Sequence, residues 1–382
     1  MSFEESIMRR ASMRNFTDQI VTDDEISTVL WAAYGLRNDK NMTIPEINGS
    51  HATVIYVLLE NVYRYNPMNH SLILYKEGDY RDIVGWQYHA PVQICLCWDT
   101  NIANANFGCA ELGCVGQNIY FAANAIGLGT VITAEGNTPA INPVGIPENE
   151  HGMGVMPLGH LEIDYNFIYR PMLFSLLPRV KFTNTTLTNT LEKRNEVTSW
   201  ESTSISKKDL SYLIWASYGY SYYIDKSNTG TIERHHTVPS AHGYYPFRIY
   251  AATKSGIYRY IYGLYRIDIW GLPVTSFLLP IESSDKRTEI GQATEPFISD
   301  APLNIIIVLD IDNTNKWDDL SNENMRWIWY YEAGAAAYNV LLQATSLGLY
   351  GNIVAINDKE SVCSLLKLSK ERFDPMLIVP VG

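Results

Sequence analysis

The sequence predicts a mixed α/β (α+β) protein in which one unit of helices and strands occurs twice along the chain and the two copies pack together. Two observations carry this. Four blocks of the first half recur in the same order in the second half, and internal repetition at that scale marks a repeated structural unit. The recurring blocks also switch between helix-type and strand-type hydrophobic patterning, so each copy contains both kinds of element.

Composition sets the outer bounds. The chain has 382 residues, 46% of them hydrophobic, 12% aromatic and 18% charged. That is the make-up of a packed globular protein of one large or two ordinary domains, and it excludes disorder as the dominant state. With 41 acidic against 29 basic residues the formal charge is -12, so no broad positive field exists to hold a polyanion, and nucleic acid is not expected as a partner. The five cysteines, Cys95, Cys97, Cys109, Cys114 and Cys363, form no CxxC pair. An odd number at such spacings reads as reduced thiols in a cytoplasmic protein, with neither a disulfide framework nor a metal site. The opening MSFEESIMRR lacks the apolar run of a signal peptide, and the longest aliphatic stretch, Leu303 to Leu309, is too short to span a bilayer. No membrane partner is expected.

The elements follow in chain order. TDDEISTVLWAAYGL (Thr22 to Leu36) aligns without gaps on SKKDLSYLIWASYGY (Ser206 to Tyr220). Each begins with a hydroxyl residue followed three positions later by an acid, then apolar residues at helical spacing, which predicts a capped amphipathic helix. Ala90-Pro91 and Ala301-Pro302 each precede an apolar run, VQICLCW and LNIIIVLD, that reads as a core strand. Cys95 and Cys97 then share one strand face. ELGCVGQNIYFAANAIGLG (Glu111 to Gly129) matches EAGAAAYNVLLQATSLGLY (Glu332 to Tyr350). This is a nearly all-apolar helix closed by glycine, expected at the centre of each copy, with Cys109 and Cys114 as small buried residues. MPLG (Met156 to Gly159) and VPVG (Val379 to Gly382) close the copies. The offset grows from 184 at the first block to 223 at the last, which places most of the net insertion in the second copy between its first helix and Ala301. The organisation predicted is a first copy over 1–180, a polar linker over 181–195 (KFTNTTLTNTLEKRN) and a second copy over 196–382.

Three segments carry a family resemblance. RRASMRNF (Arg9 to Phe16) fits an R-x-S-x-R-x-F signature, GLGTVITAEGN (Gly127 to Asn137) fits a helix end, strand and Glu-Gly turn, and TVPSAHGYYPFRIY (Thr237 to Tyr250) is similar to a P-S-A-G-A-L-Y-P segment. In this order they make the chain resemble the FMN-dependent nitroreductases, duplicated in tandem, with the second half resembling the branch of azoline-oxidising dehydrogenases. The resemblance implies an α-β-α sandwich that normally forms a two-fold homodimer with an FMN in each of two interface clefts. A fused duplicate would make that dimer within one chain, as an intramolecular pseudo-dimer or a higher oligomer of it.

The resemblance also assigns residues. The first cleft would take Arg10, Ser12, Arg14, Glu135 and Gly136 from the first copy and Pro239, Ser240 and Ala241 from the second. Gln87 would set an amide against the flavin, and Arg170 would be the late basic residue at the phosphate. The chemistry suits the ligand: guanidinium forks and hydroxyls for a phosphate and ribityl chain, and a glycine turn for close backbone approach to the ring edge. Without the resemblance, Arg10 and Arg14 read equally as surface cations, Glu135 as a loop acid and Ser240 as a turn residue. In the second cleft Arg194 matches Arg10, but Glu196 replaces Ser12, Thr198 replaces Arg14, NIVAIND replaces VITAEGN, and PEINGSHA (Pro45 to Ala52) stands where Pro-Ser-Ala is expected. One FMN per chain is therefore expected.

The activity implied is hydride transfer through flavin N5, with NAD(P)H as the donor in much of the family, so no side chain is required as a catalytic group. A flavin-fragmenting or flavin-carrying protein and a non-catalytic partner subunit are the alternatives. The substrate, a small molecule or a peptide, is not specified. Lys316-Trp317 is the nearest candidate for the Lys-Tyr pair of the azoline-oxidising branch. The adjacent histidines His235 and His236 would point to opposite faces of an extended segment, so with His242 they are not read as a metal site. The tyrosine-rich run Ile257 to Trp270 is expected to form a β-hairpin covering the cleft.

Overall fold

Each recurring block folds as the same element in both copies of the computed structural model, which describes residues 1–47, 49, 51–134, 140–169, 176–201, 204–226, 232–262, 276–315 and 320–382. The first copy runs α1 (Phe3–Met8), α2 (Asp23–Tyr34), β1 (Thr53–Leu58), β2 (Val62–Asn66), β3 (Ser71–Lys76), α3 (Arg81–Val84), β4 (Val92–Asp99), α4 (Ala105–Ala125), β5 (Gly129–Thr130), β6 (Thr133–Ala134), β7 (Glu150–Gly159) and β8 (Tyr165–Ile168). The second runs α5 (Leu187–Lys193), α6 (Lys207–Tyr218), β9 (Tyr220–Lys226), β10 (Ile232–His236), β11 (Phe247–Thr253), β12 (Gly256–Ile261), β13 (Phe277–Glu282), α7 (Arg287–Ala293), β14 (Leu303–Asp310), α8 (Arg326–Ser346), β15 (Val354–Ala355), α9 (Lys359–Leu365) and β16 (Phe373–Val381).

The capped helices form as their sequences dictate. At α2 the Thr22 hydroxyl accepts from the Glu25 amide at 3.3 Å while the Glu25 carboxylate accepts from the Thr22 amide at 2.8 Å, a complete capping box. At α6 the Ser206 hydroxyl accepts from the Asp209 amide at 3.0 Å.

The two main sheets have matching strand orders, β3-β2-β1-β4-β7-β5 and β13-β12-β11-β14-β16-β15, with antiparallel pairing throughout. The apolar runs reflect cover on both faces, not parallel pairing. On β4, Val92, Ile94, Leu96 and Trp98 face the central core, while Cys95 and Cys97 face a smaller cluster with Val84 of α3. On β14, Leu303, Ile305, Ile307 and Leu309 point inward, and Ile306 and Val308 meet Ile290 of α7 and Val362 of α9. Alternate side chains along a strand take opposite faces, so a strand covered on both must be apolar at every position.

Between the sheets lie α4 and α8, the predicted central helices, which cross at contact distance. A methyl group at Gly113 would overlap the Tyr331 carbonyl oxygen, and one at Gly334 would overlap the Ala110 carbonyl oxygen. Beyond the glycines the contact turns polar and reciprocal. Gln117 Nε2 donates to Asn339 Oδ1 at 2.8 Å, and Asn118 Nδ2 donates to Tyr338 Oη at 2.9 Å. Residues of one copy meet their own counterparts' neighbours in the other, as at a two-fold interface, but within one polypeptide.

The insertion of the second copy divides between the β9-β10 hairpin and the β12-β13 connection. The β12-β13 hairpin contains the first part of the tyrosine-rich run, whereas 263–275 lies outside the described residues, as does Lys316-Trp317. The β9-β10 hairpin is joined by β8 of the first copy, Tyr165 pairing with Lys226 and Ile168 with Tyr223. The 181–195 segment carries α5, whose Leu187, Thr190 and Leu191 are buried, and the Leu191 and Arg194 carbonyls accept from Arg37. By position before Arg194, α5 repeats α1 before Arg10.

Because the helix crossing has no room for a side chain at its glycines, Gly334→Ala is expected to destabilise the fold by about 1–3 kcal/mol. Urea unfolding should show a lower midpoint at unchanged slope. A midpoint equal to wild type would contradict the close approach described.

Candidate functional site

A cleft of about 310 Å³ opens where the copies meet, lined by Ser12, Arg14, Gln87 and Tyr88 of the first copy and Pro239, Ser240, Ala241 and His242 of the second. Its size, and walls shared about equally between apolar and polar groups, suit a polar small molecule. Ser12 is held by its hydroxyl 3.1 Å from Tyr120 Oη, which itself accepts from the Ile132 amide at 2.8 Å. That links the Arg-x-Ser-x-Arg segment to the backbone of Val131 to Ala134, which forms another wall. Arg14 is exposed at the rim, its Nη1 donating to the Ser12 carbonyl at 3.1 Å. Ser240 accepts from the Tyr245 amide at 2.9 Å, closing a tight turn through His242 and Gly243, both at positive φ. Glu135, Gly136 and Arg170 lie outside the described residues.

Arg10 is placed behind the cleft instead of in its lining. Its side chain is buried, with Nη2 and Nε donating to the His236 carbonyl at 2.9 Å and 3.2 Å and its guanidinium over the Tyr120 ring. Arg194 repeats this geometry in reverse, reaching from the second copy to the carbonyls of Met42 at 3.1 Å and Thr43 at 3.4 Å. The two arginines thus lock each copy to the other. The sequence could have disclosed this, since Arg10 and Arg194 are retained in both copies while the residues around Arg194 are not.

Sequence reasoning passed over the wall supplied by Leu320 and the start of α8, where Trp327, Ile328, Tyr331 and Glu332 line the same cleft. Glu332 is buried; burial pushes its carboxyl up to about 8, opposed by the Ser240 and Tyr218 hydroxyls, the Ala241 amide and the Arg10 charge. Its counterpart Glu111 is pushed up to about 7 by burial, opposed by the Thr53 hydroxyl and the Ala52 and Thr53 amides. All five cysteines are buried, and burial raises Cys97, Cys109 and Cys114 above the ordinary thiol range, so these three are not activated thiolates. His236 stacks on Tyr245 at 3.8 Å between centroids.

The pseudo-equivalent cleft, about 300 Å³, is lined by Glu46, Glu196 and Glu295 with Asn352, Asn357 and Phe297. Glu196 stands where Ser12 stands in the first cleft and pairs with Arg194 at 2.6 Å. Three carboxylates against one paired arginine make this an acidic cavity.

The nitroreductase family model matches residues 7–160 and 192–382, one match for each copy. The chain belongs to the nitroreductase family. Nitroreductases are oxidoreductases, and the double match accounts for the paired sheets and the paired central helices. A Methanocaldococcus jannaschii protein named as a nitroreductase is 25% identical over 185 residues, 42% of this chain and 91% of its own length, so it corresponds to one copy. The crystal structure of an Anabaena variabilis protein described as a nitroreductase covers 97% of this chain and 92% of its own, at 14% identity and a TM-score of 0.69, and shares the doubled fold. The Escherichia coli microcin synthetase McbBCD complex aligns over 57% of this chain and 77% of its own, at 14% identity and a TM-score of 0.37. No helix among the described residues is long and apolar enough to cross a membrane.

The two arginines of the signature have different surroundings in this nitroreductase and should respond differently. Arg10→Ala removes both guanidinium donors from the buried His236 carbonyl, which keeps the 3.4 Å donation from the Ser221 hydroxyl, and is expected to cost about 1–3 kcal/mol. Arg14→Ala, at the exposed rim, is expected to stay within about 0.5 kcal/mol of wild type. Denaturant unfolding of the two variants measures the contrast, and equal losses would refute it.

Proposed function

We propose that the protein is an FMN-dependent oxidoreductase holding one FMN per chain in the cleft lined by Ser12, Arg14 and Ser240, with NAD(P)H as electron donor. The carrying observation is the asymmetry of the two clefts. One gathers hydroxyls, an arginine, an amide and backbone from both copies, while the other presents Glu46, Glu196 and Glu295. A phosphate dianion is attracted to the first and repelled by the second.

The residues fit the cofactor by their chemistry. Arg14 would meet the phosphate, with Arg170 as the second cation the family resemblance assigns. Ser12 and Ser240 would bind the ribityl hydroxyls. The backbone from Val131 to Ala134, continuing into Glu135-Gly136, would line the ring edge with Gln87, and Pro239 and Ala241 would pack against the ring from the other copy. Bound there, FMN would supply two-electron transfer by hydride at N5. The chain's own part is to hold the reactants in register, to exclude water with Met153, Leu320, Trp327 and Ile328, and to place polar groups where charge develops. Arg10 contributes by fixing the two copies against each other, so the cleft keeps its shape without a second chain.

The purified protein is expected to be yellow with a flavin-to-chain ratio of one, and to bleach on addition of NADH or NADPH without oxygen. Two flavins per chain would refute the asymmetry, and no flavin affinity would refute the cofactor. Arg14→Ala should weaken FMN binding about tenfold or more while leaving the fold intact, measured by flavin fluorescence titration.

A further inference from the structure

We propose that Glu332 is a catalytic proton donor of the cleft, delivering a proton to the acceptor as that acceptor takes its hydride. This deepens the flavin reading of the same cleft and rests on it.

The chain contains its own control. Glu111 and Glu332 occupy equivalent positions in α4 and α8, and both are buried. Glu111 is saturated: Oε2 accepts from the Ala52 amide at 3.1 Å, and Oε1 accepts from the Thr53 amide at 2.9 Å and from the Thr53 hydroxyl. It is absent from the lining of the acidic cleft. Glu332 is different. Its Oε1 accepts from the Tyr218 hydroxyl, while Oε2 is buried outside hydrogen-bonding geometry, with the Ser240 hydroxyl and Ala241 amide near enough to favour its charged form, and the side chain lines the first cleft. Tyr331 Oη, in the same wall, and Arg10 Nη1 behind it are also buried without such partners. Buried polar atoms are nearly always satisfied. An unmatched carboxyl oxygen on a cleft wall is a group that a bound molecule can satisfy.

The protonation state is set by what surrounds the carboxyl. Arg10, Tyr218, Tyr245 and Tyr262 face it, with His236 packed against Tyr218 and Tyr245. Burial pushes all three tyrosines up, so they stay neutral across the working range. Burial also raises Glu332 to about 8. Below that pH it carries a proton, and a protonated carboxyl is a hydrogen-bond donor.

The acceptors that suit this arrangement have a polarised double bond to a heteroatom: N=O, C=O or C=N. Such an acceptor would take a hydride, with its two electrons, from reduced FMN held in the cleft. The electron pair of the double bond moves to the heteroatom, which takes the proton as the Oε2–H bond breaks. The Glu332 carboxylate left behind is stabilised by the Tyr218 hydroxyl and Arg10, and a solvent proton entering after the product has left restores the acid.

Glu332→Gln keeps the shape and removes the proton, and Glu111→Gln is its control. With flavin bound, reduction of a nitroaromatic by wild type should fall as pH rises through about 8, because the donor is lost. Glu332→Gln should lower that rate by about 10²–10⁴-fold and abolish the pH limb. Ferricyanide, which takes electrons without a proton, should be reduced at near wild-type rate, and Glu111→Gln should keep both activities. A readout independent of turnover is the infrared carboxyl band of the flavin-free protein in the Glu111→Gln background, which removes the other raised carboxyl: a titration near pH 8 should persist there and should vanish once Glu332→Gln is added. Wild-type nitroaromatic rates in flavin-loaded Glu332→Gln, or persistence of the infrared titration in the double variant, would overturn the proposal. If Glu332→Gln does not fold, a wild-type nitroaromatic rate that is flat from about pH 6 to 9 overturns it equally. Failure of the wild-type chain to bind flavin would sink the cofactor reading instead.

Discussion

The close crossing of α4 and α8 is the constraint on which the rest of the molecule depends. Gly113 and Gly334 let each helix press on the other's backbone, and the hydrogen-bonded pairs Gln117–Asn339 and Asn118–Tyr338 fix register where the contact turns polar. Buried amides must find partners or pay desolvation, so only one sliding position of the helices satisfies both pairs. Each helix carries its own sheet through the inward residues of β4 and β14. The crossing therefore sets the distance between the two sheets and the shape of the clefts at its ends.

Fusion changes what such an interface is permitted to do. In a homodimer a substitution appears in both clefts at once, whereas a single chain carrying both copies can alter one cleft alone. The retained and lost features divide along this line. Arg10 and Arg194 make the same cross-copy clamp, because both halves of the interface must hold. Ser12 and Glu196 have parted, and with them the electrostatics of the two cavities. Glu111 and Glu332 have parted more subtly, since the residue is the same and only its partners differ.

The polar interior is therefore of two kinds. Glu111 accepts from the Ala52 amide, and Gln117 Nε2 and Asn339 Nδ2 both donate to the Thr237 carbonyl, bonds that stiffen the core. Glu332 and Tyr331 retain unmatched atoms and line the first cleft, with Arg10 behind them. The segment joining the copies contributes to this rigidity, because α5 docks through Leu187 and Leu191 and is held by Arg37.

The sequence by itself determined the doubled architecture. The caps of α2 and α6, the glycine-closed apolar helices α4 and α8, and the strands β4 and β14 are local in origin, set by hydroxyl-acid spacing, hydrophobic period and Ala-Pro starts, and such signals survive in a linear reading. Repetition doubled each signal. What only the tertiary structure decided are the fates of single polar side chains. Arg10 and Arg14 are four residues apart in one motif, yet one is buried on the His236 carbonyl and the other stands at an exposed rim. Glu332 looks like Glu111 in sequence, and the pairing of β8 with β9 joins segments more than fifty residues apart. A charge or an amide takes its role from the partners that reach it, and those partners come from distant parts of the chain that only the fold brings together.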